Sequence, residues 1–189
     1  LPVLSKFKSE YPDVKIFLDM ANDDLIGYMN VPVTPFHLKD WERFDTHDCP
    51  YQNSDQITFE GCFSAGEEIA EGVVDRKSGF IEDDLSALSK TTTKDFIFVT
   101  HSPPYNTTLD MAGNGHHVGS GYKKLYREIL TKGLIKLSFH GHVHESPTIS
   151  GAIKYELNSV MCLNPGQTKE NLKAVIVDIS ESELEFKII

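Results

Sequence analysis

The stretch Leu-Ile-Lys-Leu-Ser-Phe-His-Gly-His-Val-His-Glu, residues 134–145, carries three histidines at alternate positions around one glycine. Its first half, residues 134–139, is apolar enough to predict a buried strand. In extended backbone, residues i, i+2 and i+4 project to one side, so His140, His142 and His144 are expected to share a face just beyond that strand. Neutral imidazole is the commonest protein metal ligand, and glycine lets the backbone approach an ion closely. The stretch therefore predicts half of a metal site, rather than an ordinary polar loop with surface histidines.

The composition is that of an ordinary globular chain with an excess of acidic groups. The chain has 189 residues, of which 40% are apolar and 24% are charged, and this suits a single domain over residues 1–189. Its formal charge of −10 argues against general electrostatic binding to a nucleic-acid backbone, because such binding needs a basic protein surface. A nuclease with a local cationic or metal centre is not excluded by that charge.

The cysteines and the apolar runs indicate the cellular setting. Cys49, Cys62 and Cys162 are odd in number and lack Cys-x-x-Cys spacing, which favours a reduced, cytoplasmic environment. No apolar run approaches the ~20 residues of a membrane-spanning helix, and the opening shows no signal-peptide pattern, so we expect no membrane partner. The chain begins without Met, and residues 1–11 read as the later part of an amphipathic helix that feeds into a strand. We therefore expect the domain to lack its N-terminal part.

Strands and helices alternate early in the chain and strands follow late, which predicts mixed α/β layers. The predicted strands are residues 14–20, 28–32, 96–99, 134–139, 148–150, 153–157, 159–163, 172–179 and 184–189. The predicted helices are residues 79–90 and 121–132. Residues 34–65 are weakly patterned, which is typical of a functional or partly disordered loop.

Side chains with metal-ligand chemistry follow three of the predicted strands. Asn22 comes just after residues 14–20, and His101 comes just after residues 96–99. His142 follows the strand that precedes the histidine stretch. Because open α/β sheets collect ligands at the carboxyl ends of their strands, we expect these side chains to meet. Alone, Asn22 is typical of a turn and His101 of a loop, but the combination indicates one site.

Four short motifs resemble those of the calcineurin-like metallophosphoesterases. They occur in the family's order over most of the chain and are Ala21-Asn22-Asp23-Asp24, Thr100-His101-Ser102-Pro103-Pro104, Gly141-His142-Val143-His144 and Asn164-Pro165-Gly166. Residues 31–45 also resemble a subgroup of uncharacterised microbial members. The resemblance implies an α/β fold in which two mixed β-sheets pack as a sandwich flanked by helices.

The resemblance also implies a dinuclear metal centre. Asn22, His101 and His142 would hold one ion and His144 the other, and such ligands suit Mn, Fe, Zn or Ni. In the family, two metals about 3.5–4 Å apart bind phosphate oxygens and activate a hydroxide that attacks phosphorus in line. We therefore expect hydrolysis of a phosphomonoester or phosphodiester, with a small phosphoester as the partner.

The sequence departs from the family pattern in three places. The early Asp-x-His and Gly-Asp motifs are absent, so either they lie upstream of Leu1 or the activity is lost. Asp23 replaces the family's catalytic histidine and is a candidate general acid only if its pKa is raised, so a structural role stays equally open. Few residues separate Asp24 from Pro32, where the family has a helix and a strand, and a segment missing after Asp24 is one hypothesis.

The loop after His101, residues 105–119, is expected to overhang the metal site. It is either a solvated flexible loop or a source of substrate contacts. In the second case His116 or His117 contacts the phosphate, and we take His116 as the candidate catalytic residue.

Other polar and aromatic residues receive supporting roles. His140 is expected to be structural, and Glu145 is expected to accept the second N–H of a ligand imidazole. Asn164 and Gly166 are expected to shape a turn behind the site. The aromatic residues are expected to form a core cluster rather than a base-stacking platform, and they are Trp41, Phe36 and Phe44.

The sequence thus predicts a cytoplasmic, metal-dependent phosphoesterase. One alternative is a catalytically inactive metal-binding or protein-interaction module on the same fold. Another is a nuclease of the same superfamily. A nuclease needs a basic groove, and the acidic composition of this chain does not indicate one. The identity of the substrate and the oligomeric state stay open.

Overall fold

The computed structural model describes residues 24–47, 57–91, 96–119, 137–168, 173–179 and 184–188. The predicted strand at residues 14–20 and the predicted helix at residues 121–132 lie outside these ranges. In chain order the described strands are β1 (Asp24–Tyr28), β2 (Val31–Pro32), β3 (Glu42–Arg43), β4 (Phe59–Ala65), β5 (Glu68–Val74), β6 (Phe96–Thr100), β7 (Leu137–Phe139), β8 (Lys154–Leu157), β9 (Val160–Leu163), β10 (Val175–Ile179) and β11 (Leu184–Ile188). The described helices are a 3₁₀ turn (Arg76–Ser78), α1 (Ile81–Thr91) and α2 (Ser146–Ser150).

A five-stranded mixed sheet in the order β1-β6-β7-β9-β8 positions the candidate site. β1, β6, β7 and β9 run parallel, and β8 runs antiparallel to β9. Val99 pairs with Phe139, and Phe139 pairs with Leu163, so three strands end at nearly the same level. The residues that follow these strands therefore emerge side by side at the carboxyl edge of the sheet.

Both faces of the sheet are covered, as expected for parallel strands. On one face, Ile97 and Leu137 belong to an apolar cluster against which Val175 and Val177 of β10 pack. On the opposite face, Phe98 is buried in a cluster with residues of α1. The sheet is thus a layer between α1 and the antiparallel β10–β11 hairpin. The predicted mixed α/β layering is confirmed.

Helix α1, Ile81–Thr91, confirms the helix predicted at residues 79–90. Ile81 and Leu85 are one turn apart and both are fully buried, and Leu88 packs against the same cluster. Three acidic residues in its first turn and a lysine in its last turn suit the helix dipole. No helix in the described ranges is long and apolar enough to cross a membrane.

Residues 34–65 hold more regular structure than the sequence predicts. β4 pairs with β5 over seven residues of each strand in an antiparallel hairpin, which turns at Gly66 with φ of 71°. Most residues of both strands are exposed or half-buried, so the alternation that marks a strand with one buried face is weak. The expectation of a long loop is therefore wrong from Phe59 onward.

Two further expectations are corrected nearby. Residues 148–150 lie in helix α2 rather than in a strand, because Pro147 fits its first turn and Gly151, with φ of 72°, ends it. The strand expected at residues 28–32 is split between the end of β1 and the start of β2. The hypothesis of a segment missing after Asp24 stays a prediction.

The remaining strand predictions are confirmed in position. The strand predicted at residues 134–139 is seen as β7, and residues 134–136 lie outside the described ranges. The other confirmed strands are β6, β8, β9, β10 and β11.

Candidate metal centre

His101 and His142 come together at the carboxyl edge of the five-stranded sheet. His101 directly follows β6, and its backbone oxygen accepts a hydrogen bond from Gly141 N at 3.0 Å. This bond joins the segment after β6 to the loop after β7. We call that loop, residues 140–145, the histidine loop. The ring centroids of His101 and His142 lie 5.2 Å apart, with an interplanar angle of 65°. The predicted meeting of these two side chains is confirmed.

The surroundings hold these imidazoles in the neutral form that binds metals. The pKa of His142 is lowered to about 4, chiefly by burial and then by the positive charges that His101 and His144 would carry, against a smaller opposing effect of Glu145. The pKa of His101 is lowered by partial burial and then by the charge of His144. These electrostatic effects place His144 near the other two histidines.

The three alternating histidines do not share a face, so that expectation is wrong. β7 ends at Phe139, and His142 has left-handed backbone with φ of 61°. Val143 N donates to Gly141 O at 2.7 Å, which closes a tight turn instead of continuing an extended chain. As a result, His140 is buried and His144 is exposed.

His140 has the structural role expected of it. Its Nδ1 lies 2.9 Å from the hydroxyl of Thr100, and its Nε2 lies 2.9 Å from the hydroxyl of Ser138. Burial lowers its pKa to about 3, although hydrogen bonds with Ser102 and Thr100 oppose the shift. Since both ring nitrogens are occupied, this side chain joins β6 to β7 and is not available to a metal.

Asn164 fixes the turn behind the site, as predicted. It is 1% exposed, and its amide donates to the backbone oxygens of Leu109 at 2.9 Å and Val143 at 3.2 Å. Its Oδ1 accepts from Gly166 N at 3.0 Å. Gly166 has φ of 67°, and a Cβ there would lie 2.5 Å from the backbone oxygen of His144. This turn therefore holds the histidine loop against the segment after β6.

The donor set at this edge fits a borderline divalent metal ion. Imidazole suits Zn, Ni and Fe, and the rings of His101 and His142 lie beside each other at this edge. Within the described ranges, no three His, Cys, Asp or Glu side chains are arranged around one point. Among the described residues, the predicted assignment places His101 and His142 on one ion and His144 alone on the other.

The remaining predicted ligand and acid lie outside the described ranges. Asn22 and Asp23 precede β1, whose first residue, Asp24, pairs with Phe96 at the amino end of β6. His101 follows the opposite end of that strand. The described residues therefore add no support for Asn22 as a ligand beside His101, and its role stays a prediction, as does that of Asp23.

The loop at residues 105–119 is organised around a buried carboxylate that the sequence analysis missed. Asp110 is fully buried and accepts hydrogen bonds from the backbone nitrogens of Asn106, Thr107 and Gly119. It also lies 2.7 Å from Nδ1 of His117. No motif distinguishes Asp110 from the other acidic residues of the sequence, and only its neighbours in the fold identify it.

The other polar candidates, His116 and Glu145, are exposed. His116 is exposed at the loop tip, where its backbone nitrogen donates to Asn114 Oδ1 at 3.0 Å. Glu145 Oε1 accepts a hydrogen bond from Gly113 N at 3.2 Å, and this bond connects the histidine loop to the loop at residues 105–119. Among the described contacts, Glu145 is therefore a link between loops rather than the expected partner of an imidazole.

An apolar cavity of about 550 Å³ opens beside His101. Its walls include Met29, Trp41 and Phe139. Trp41 is 56% exposed and Phe36 is 68% exposed, whereas Phe44 is fully buried, so the expected core cluster of these three aromatic residues is wrong for Trp41 and Phe36. Trp41 presents an aromatic surface to the cavity instead.

Comparisons with known proteins do not assign a family. No protein-family model matches the sequence, and no curated protein matches it significantly. A solved structure is similar over 98% of this chain, at 14% sequence identity and with a TM-score of 0.49. The chain spans 58% of the length of that structure's chain. These values assign neither a fold family nor an activity.

Proposed function

We propose that this protein is a metal-dependent phosphoesterase that hydrolyses a phosphomonoester or a phosphodiester. The single observation that carries the proposal is the edge-to-face contact of His101 and His142, 5.2 Å apart, at the carboxyl edge of parallel strands. Two neutral imidazoles at the edge where α/β sheets bind ligands are a suitable metal-binding pair.

In this proposal His101 and His142 hold one divalent ion, and His144 contributes to a second. When bound, such ions polarise the phosphoryl oxygens and acidify water. The five-stranded sheet, with α1 on one face and the β10–β11 hairpin on the other, is then one layer of a calcineurin-like sandwich. The motifs that follow β6, β7 and β9 support this assignment.

The residues around the pair orient the site. The turn held by Asn164 and Gly166 fixes the loop of His142 and His144. The cavity beside His101 offers apolar walls to the organic part of the ester, with Trp41 as an aromatic surface. Together these features favour a small phosphoester with an apolar or aromatic group as the substrate.

The test is hydrolysis of aryl phosphate monoesters and diesters by the full-length protein. Metal is removed by chelation, and Mn, Ni or Zn is then added back. We expect turnover that depends on the metal and is lost in H142A. The exposed His37 provides a matched control, since H37A removes an imidazole from a different segment, whose backbone contacts Cys62 of β4. Absence of metal-dependent turnover of both ester types would contradict the proposal.

The inactive module and the nuclease give different results in the same experiment. An inactive module binds metal through His101 and His142 without turnover. A nuclease cleaves single-stranded DNA or RNA in preference to the small esters. The formal charge of −10 makes the nuclease the less favoured of the two alternatives.

A further inference from the structure

Asp110 and His117 form a hydrogen-bonded pair that the metal site does not use. The distance between Asp110 Oδ1 and His117 Nδ1 is 2.7 Å. Asp110 is fully buried, whereas 29% of the His117 side chain is exposed. The pair thus has a buried carboxylate behind an imidazole that reaches solvent.

The hydrogen bonds around Asp110 indicate that Nδ1 of His117 carries the proton of the hydrogen bond between the two side chains. The backbone N–H groups of Asn106, Thr107 and Gly119 are donors only, so both carboxylate oxygens act as acceptors. Nδ1 of His117 must then donate to Asp110. This leaves Nε2 as the outward nitrogen, and no described residue makes a hydrogen bond to it.

The loop that carries the pair contacts both segments that carry the candidate metal ligands. On one side, Ser146 joins the residues flanking Asp110 to the histidine loop, since its hydroxyl accepts from Met111 N at 3.0 Å and donates to Thr108 O at 2.9 Å. On the other side, a Cβ on Gly119 would lie 2.5 Å from the backbone oxygen of Pro103, two residues after His101. The loop that holds the pair is therefore packed against the residues that follow β6 and β7.

We propose that His117 is the general acid of this site and that Asp110 is its positioning residue. This inference rests on the proposed phosphoester hydrolysis. A water oxygen forms a bond to phosphorus while the bond between phosphorus and the leaving oxygen breaks. His117 acts as the imidazolium, with a proton on each ring nitrogen. The proton on Nε2 moves to that leaving oxygen, and a proton from the attacking water restores the imidazolium. Asp110 stays ionised and stabilises the cation.

This assignment moves the catalytic role from His116 to its neighbour. Both histidines are in the same loop, but only His117 is oriented by a buried carboxylate. A carboxylate behind an imidazole fixes its tautomer and orientation, which a general acid requires. The exposed position of His116 provides no such restraint.

The test compares two substrates that differ in leaving-group acidity, phenyl phosphate and 4-nitrophenyl phosphate. The nitrophenolate leaves without protonation, so a general acid matters mainly for the phenyl ester. We expect H117A to lower kcat for phenyl phosphate by about 100-fold or more and for 4-nitrophenyl phosphate by less than about 10-fold. Added imidazole is expected to restore part of the loss, and D110N to reproduce the same selectivity.

Two measurements that do not depend on turnover accompany the kinetics. Metal content is expected to be unchanged in H117A and H37A. NMR signals of the His117 ring are expected to shift when inorganic phosphate is added to the Zn-loaded protein, and the absence of a shift would overturn the proposal. Since D110N removes a buried acceptor, its folding is checked by circular dichroism, and H117Q serves as the second variant because this side chain is partly exposed.

Failure of the general-acid role of His117 can be distinguished from failure of the proposed phosphoesterase function. If the wild-type protein turns over both esters and H117A loses both equally, or loses neither, the role of His117 is wrong and the proposed function stands. A loss confined to H116A has the same meaning. If the metal-loaded wild-type protein hydrolyses neither these monoesters nor the corresponding aryl phosphodiesters, the proposed function fails, and the general acid with it.

Discussion

The imidazole rings of His101 and His142 meet edge to face, with their centroids 5.2 Å apart, although they follow different strands. The parallel register of β6 and β7 produces this contact, because Val99 and Phe139 are partners near the ends of both strands. Burial and the nearby charge of His144 lower the pKa of both rings, so a metal ion does not have to displace protons from them at neutral pH.

Removal of either ring is expected to weaken metal binding strongly. H101A and H142A should weaken the affinity for Zn or Mn by at least about 100-fold, since loss of a ligand costs no less than loss of the group that orients it. Calorimetric titration and metal analysis after dialysis measure the effect. H37A is the control, and an unchanged metal affinity in H142A would remove this residue from the site.

His140 is expected to matter for stability rather than for metal affinity. H140A leaves the hydroxyls of Thr100 and Ser138 without the ring that joins them and opens a cavity, so the free energy of unfolding should fall by roughly 2–4 kcal/mol. S138A, which removes one hydrogen bond, should cost about 1 kcal/mol. Urea unfolding measures both. A folded H140A protein that has lost metal affinity would instead identify His140 as a ligand.

Asn164 is expected to be a main support of the histidine loop. N164A leaves several buried backbone oxygens without a donor, at roughly 1–3 kcal/mol for each group that stays unsatisfied. N164D keeps the shape but not the amide donors, so it should destabilise the fold at least as much. The exposed Asn114 is the matched control, with N114A expected within about 0.5 kcal/mol of wild type. Thermal and urea unfolding compare the three variants.

The two described cysteines are expected to differ in reactivity. Cys162 is fully buried, and burial raises the pKa of its thiol to about 12, whereas Cys62 is half-buried. Because the thiolate is the nucleophile, only about one Cys162 in 1,000 is reactive at pH 9, and the fraction rises tenfold for each pH unit up to the pKa. In a C49S background, iodoacetamide at pH 9 should label Cys62 in the folded protein and Cys162 only after unfolding in urea. Mass spectrometry of peptides locates the label, and rapid labelling of Cys162 in the folded state would contradict its burial.

Trp41 is expected to bind the organic part of the substrate. W41A should raise KM for phenyl phosphate by about 3- to 10-fold, since an aromatic pair contributes about 0.5–1.5 kcal/mol, and should leave KM for methyl phosphate unchanged. F36A removes an exposed aromatic ring that does not line this cavity and is the control. Equal effects of W41A on both esters would place the organic group elsewhere. As the only tryptophan, Trp41 also gives a direct fluorescence signal for binding.

The parts of the fold with strong periodic patterns could be predicted from the sequence. α1 has buried residues one turn apart, and β6 and β9 have apolar runs, so each was located within one or two residues. The β4–β5 hairpin could not be predicted, because its strands are mostly exposed and carry no regular alternation. The helix at Ser146–Ser150 was missed for a related reason, since five residues are too few to show a helical period.

Within the site, the sequence alone determined which donor types are present and which strands they follow. His101 and His142 were identified because imidazoles after two buried strands meet wherever those strands run parallel. The tertiary structure decided what each histidine does. The left-handed turn at His142 and the hydroxyls beside His140 separate three residues that look equivalent in the sequence. Likewise, Asp110 becomes the partner of His117 only when the loop closes around it, because burial and hydrogen-bond geometry depend on residues that are distant in the chain.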